Sequence, residues 1–81
     1  MKPNRQLGQG EFSVWWWDAD GNQHEELRFV SAETAVKRAH TLTHGPASVL
    51  GIVQRVIITD GGDCTNFEWK HKEGVVYGAT S

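Results

Sequence analysis

The chain has 81 residues, of which 38% are hydrophobic and 22% charged, with a net charge of −2. That is ordinary globular composition for one small domain, and it excludes both a second core and a strong global field for recruiting polyanions. The single cysteine, Cys64, excludes an intramolecular disulfide framework.

Residues 1–10 read as a flexible lead-in with one large aliphatic, Leu7, too little to offset the entropy of ordering. They lack the apolar stretch of a secretory signal, and no run approaches a membrane span. With a lone thiol, this predicts a cytoplasmic protein with no membrane partner.

Residues 11–18 (Glu-Phe-Ser-Val-Trp-Trp-Trp-Asp) are aromatic and β-branched and predict a strand. A dense turn signal follows, centred on Asp20-Gly21, and then residues 24–30 alternate at period two. An even-length loop would pair Trp16 with Glu25, Val14 with Leu27 and Phe12 with Phe29. A three-residue loop would set Val14 against Glu26, so an even loop is expected.

Ser31 is a natural N-cap, and Ala32, Ala35, Val36, Ala39 and Leu42 form one helical stripe. Glu33 and His44 sit at the ends that suit the helix dipole. Gly45-Pro46 is a stop, predicted as a left-handed glycine followed by proline, and residues 47–51 read as a connection.

Residues 52–60 are the most β-prone run. Gly61-Gly62 turns the chain, and residues 64–72 return as an alternating strand. A two-residue loop would pair Val56 with Phe67 and Arg55 with Glu68. A four-residue loop would put Arg55 opposite Lys70, a like-charge pair, and is disfavoured. Glu73-Gly74 then leads to Val75-Val76-Tyr77, a candidate short terminal strand, and residues 78–81 are expected to fray. The prediction is a two-layer α+β domain over 11–77: ββαββ, an antiparallel sheet of about four strands, one helix packed on one face.

One helix covers one face, and three successive tryptophans cannot all enter one core. These registers leave Ser13, Trp15, Trp17, His24, Glu26, Arg28, Val30, Val53, Arg55, Ile57, Asn66, Glu68 and Lys70 on the helix-free face. Coverage of Trp15 or Trp17 by the terminal segments is the plain explanation. The sharper one is an interaction surface, because indole is enriched at binding hot spots. On that reading the chain is a non-enzymatic module that uses Trp15, Trp17, Arg28 and Ile57 to bind a protein partner or a second copy. The alternative is single-stranded nucleic acid stacked on Trp15 and Trp17 with Arg55, Lys70 and Lys72, which the net negative charge disfavours.

Other constellations carry less. His40 and His44 have a metal-compatible i, i+4 spacing, but Lys37 is one turn away and no third ligand is fixed. Asp18-Ala19-Asp20-Gly21-Asn22 resembles the start of a calcium loop, yet the sixth and twelfth positions are Gln23 and Phe29 instead of Gly and Glu. Residues 45–51 are bounded by glycines but lack the Lys-Ser/Thr of a phosphate loop. Cys64 has Asp60 and Asp63 beside it, which disfavours a thiolate, and Ser48 sits in no nucleophile motif. No catalytic residue, metal or cofactor is therefore expected.

Overall fold

The structure is a computed structural model describing residues 10–78. The expectations for residues 1–9 and 79–81 lie outside these. Two hairpins flank a helix, as the sequence implies. The elements are β1 (Phe12–Asp18), β2 (Gln23–Val30), α1 (Ala32–His44), α2 (Pro46–Val49), β3 (Val53–Thr59), β4 (Thr65–Lys70) and β5 (Gly74–Gly78). The sheet is wholly antiparallel in the order β2-β1-β3-β4-β5. It therefore has five strands, not four, and the segment Gly74–Gly78 pairs with β4 around a bulge at Val76.

α1 starts as expected. Ser31 caps it by accepting the Thr34 N–H at 3.1 Å, with Glu33 in the first turn and His44 in the last. Its end corrects the expectation, because Gly45 is extended (φ −89°, ψ −179°) rather than left-handed. Pro46 opens the short helix α2 where a plain connection was expected, its fixed φ suiting a first helical position.

α1 lies mainly over β3 and β1, and less over β2. Val14, Val53, Val56 and Ile58 meet Ala35 and Ala39 beneath it, with Phe12, Trp16, Leu27, Phe67 and Trp69 around them. Ala35 and Ala39 let the helix sit close, and the larger sheet side chains fill the space.

Both hairpin registers differ from expectation for one reason. Each loop holds three residues, Ala19–Gly21 and Gly61–Asp63, with the last in the left-handed region (Gly21 φ 85°, Asp63 φ 64°). A three-residue loop should misplace every side chain, and bulges repair it. Trp17, Trp16 and Trp15 pair with Gln23, His24 and Glu25; β2 then gains an extra residue, so Val14 still meets Leu27. A second bulge at Phe29 (φ 55°) makes Val30, not Phe29, the partner of Phe12. In the second hairpin a bulge at Asn66 sets Ile58 on Phe67, Val56 on Trp69 and Arg55 opposite Lys70. That like-charge pairing is tolerated because the Arg55 guanidinium reaches diagonally to the Glu68 carboxylate, Nε to Oε2 at 2.7 Å.

The bulges also move side chains between faces. Val30 and Val53 join the helix-side core instead of the reverse face. His24 stacks on Trp16 at 4.2 Å between centroids, and the Glu26 carboxylate accepts both Trp16 Nε1–H and Arg38 of α1, so both also lie on the helix side.

The two loops share one latch. In the first, Asp18 Oδ1 accepts the N–H groups of Asp20 and Asn22 while Oδ2 pairs with His24 Nε2 at 2.8 Å. In the second, Asp60 Oδ1 accepts those of Gly62 and Cys64 while Oδ2 accepts from Asn66 Nδ2. This repeated use of positions i, i+2, i+4 and i+6 assigns the calcium-like Asp18 motif to turn formation. The bonds hold both carboxyls below the ordinary value: His24 foremost brings Asp18 from 3.8 to about 2, and Asn66 foremost lowers Asp60. A depressed carboxyl contributes stability above its unfolded pKa and loses it as pH falls through the folded one. Urea titrations should thus show stability falling between the ordinary Asp18 value of 3.8 and about 2. Asp18→Asn should flatten that fall, and an unchanged pH profile would refute the latch.

Candidate functional site

Two rungs cross all five strands and define the two faces. On the reverse side run Glu25, Trp15, Ile57, Glu68 and Tyr77; on the helix side run His24, Trp16, Val56, Trp69 and Val75.

The reverse side carries the expected Trp15, Trp17, Arg28 and Ile57 and brings them together, but as a closed lattice. The Arg28 guanidinium lies 5.7 Å from the Trp15 ring and pairs with Glu25. Arg55 covers Trp17 at 4.4 Å while bound to Glu68. Trp15 Nε1–H donates to Thr59 Oγ1 at 2.9 Å. Both indoles are half-buried, and Ile57 is only 8% exposed. Cation–π contact and hydrogen bonding satisfy these side chains within the fold itself. Of the residues weighed for nucleic acid, Arg55 is committed to Trp17 and Glu68, Lys70 lies opposite it, and Lys72 is in the β4–β5 turn.

The open apolar surface is on the other side. Five strands at about 4.8 Å spacing make a floor about 19 Å wide between outer strands, whereas one helix with its side chains is about 10 Å across. Because α1 sits over β3, β1 and β2, the helix-side surface of β4 and β5 is left as a trough of about 490 Å³. Phe12, Ile58, Phe67, Trp69 and Val75 line it from the sheet. Ala32, Val36 and Ala39 line it from α1, so part of the predicted core stripe faces the trough; Val36 is 59% exposed.

Polar groups occur at its rim. His40 and His44 stack with centroids 4.0 Å apart, and His44 Nδ1 lies 3.1 Å from the His40 carbonyl. Stacked rings do not converge on one ion, and among the described residues no three His, Cys, Asp or Glu side chains gather to hold a metal. Asn66, expected on the reverse face, also borders the trough and is tied to Asp60 and the Cys64 carbonyl. Cys64 is exposed in the β3–β4 loop. Ser48 is buried in α2. No described helix is long and apolar enough to cross a membrane.

Sequence reasoning missed the trough because it depends on strand order. The one local signal was Val75-Val76-Tyr77, an apolar segment of no evident use to a four-stranded core. No protein family, curated protein or solved structure matches this chain.

Proposed function

We propose that the chain is a non-enzymatic interaction module whose trough between α1 and the β4–β5 floor receives an amphipathic helix of a partner protein. The observation that carries this is the mismatch between a five-stranded sheet and the three strands that α1 covers. Helices packed side by side have axes about 8–10 Å apart, close to the width of two strands. The trough thus has the dimensions of a missing second helix. Its lining of Val36, Phe67, Trp69 and Val75 suits residues spaced i, i+3, i+4 and i+7.

This keeps the interaction role expected from the sequence and moves its surface. Trp15 and Trp17 have arginines over their rings, which weighs against base stacking and against an indole-led hot spot there. The test is titration with a fluorescein-labelled amphipathic peptide carrying leucines at i, i+3, i+4 and i+7. Val36→Asp should weaken binding about tenfold or more, since one lost valine burial is worth more than about 1.4 kcal/mol. Trp15→Ser should leave it unchanged if far-UV circular dichroism shows the fold intact. The opposite pattern would restore the helix-free face. Salt-sensitive quenching of tryptophan fluorescence by an oligonucleotide would favour the nucleic-acid reading.

A further inference from the structure

We propose that the helix received by the trough carries a carboxylate beside its apolar stripe, and that His44 holds this carboxylate with uptake of one proton. The inference rests on the trough as a helix site and adds the chemistry of its occupant. Among the lining residues only His40 and His44 are titratable, and both are exposed on the α1 wall.

The hydrogen bonds of this pair decide what it can bind. The His40 carbonyl can only accept, so His44 Nδ1 carries the hydrogen and donates to it at 3.1 Å. In the neutral ring Nε2 is then an acceptor, which repels a carboxylate oxygen. Among the described residues, His44 Nε2 and both His40 ring nitrogens have no hydrogen-bond partner. Once Nε2 takes a proton it becomes a donor, and the bond to a carboxylate is charge-assisted. The two rings stack with centroids 4.0 Å apart. Two imidazolium charges at that separation repel, so one proton per bound helix is expected.

No carboxylate of the fold fills this role. On α1 itself, Glu33 is paired with Lys37 at 3.5 Å, two turns before His40. Glu26 of β2 is bound to Arg38 and Trp16. From β1 and β3 the lining receives only Phe12 and Ile58, and α2 has no charged residue. Neither β4 nor β5 contributes a charge to the lining, and Asn66 there is tied to Asp60. Beyond Gly74, the β4–β5 turn holds His71, Lys72 and Glu73, a set that carries both signs.

The test is calorimetric titration with two amphipathic leucine peptides, one with glutamates flanking the leucines and one with glutamines there. Histidine changes charge between about pH 8 and 5, whereas glutamate, with an ordinary pKa of about 4.3, stays ionised. From about pH 7.5 to about 5.5 the glutamate peptide should bind about tenfold more tightly, while the glutamine peptide changes less than about twofold. The double variant His40→Gln/His44→Gln should abolish that rise. His24 and His71 remain in it, so a rise due only to the falling net negative charge would persist. Equal pH profiles for the two peptides, or a rise that survives the double variant, overturn the proposal. In either case, loss of binding in Val36→Asp would still uphold the trough as a helix site. If neither peptide binds at any pH, both fall.

Discussion

Ala35→Leu is expected to destabilise the fold by about 3 kcal/mol, lowering the midpoint of thermal unfolding by roughly 15 °C. Ala35 is fully buried, and with Ala39 it is the face of α1 that lies on the sheet. The added carbons have no cavity to enter, because Val14 and Val56 beneath are themselves completely enclosed. The helix must lift or tilt, and the loss spreads along its contacts with β3 and β1. Val36→Leu adds one carbon one residue further along, on the trough side, and should shift the midpoint by no more than a few degrees. Thermal melts of the two variants compare the sheet-facing and trough-facing flanks of one helix. Equal destabilisation would mean that the trough is not open.

The second large effect contrasts two valines on one rung of the sheet. Val56 and Val75 both face the helix side, separated by Trp69 of β4. Val56 is wholly buried under α1, whereas Val75 is 44% exposed on the trough floor. Val56→Ala should cost about 2 kcal/mol through lost burial and a residual cavity. Val75→Ala should cost less than about 0.5 kcal/mol, because few contacts are lost and no enclosed cavity forms. Urea denaturation of both variants gives the difference. Comparable costs would show that β5 belongs to the core and that the trough is part of its packing.

Much of the fold was legible in local chemistry. Ser31 capped the helix, the Asp-Gly and Gly-Gly signals turned the hairpins, and the Val14–Leu27 contact survived every change of register. The registers differ because strand parity was taken to dictate an even loop, which holds only for strands without bulges. In the molecule a three-residue loop is combined with a compensating bulge, so hydrophobic patterning is satisfied while the residues near the turn move by one position. The latch had a readable signature, an aspartate followed by Gly21 or Asp63 three residues on and by His24 or Asn66 six residues on. It escapes notice unless the two loops are aligned with each other.

The site was less legible, for a topological reason. Trp15 and Trp17 do point away from α1, as their alternation required. What composition could not convey is that Arg28 and Arg55, from neighbouring strands, lie over those rings. Nor does a one-dimensional pattern say which strands a single helix covers. With β2 outside β1 and β5 outside β4, α1 lies over β3, β1 and β2, and that displacement away from β4, with the fifth strand, opens the trough.

The most direct measurement is an NMR titration of the labelled domain with the amphipathic helical peptide. The largest shift changes should fall on Val36, Phe67, Trp69 and Val75, with the Trp15 and Trp17 indole resonances unmoved. Changes concentrated on Trp15, Trp17 and Ile57, or none at peptide concentrations in the millimolar range, would contradict a helix seated beside α1.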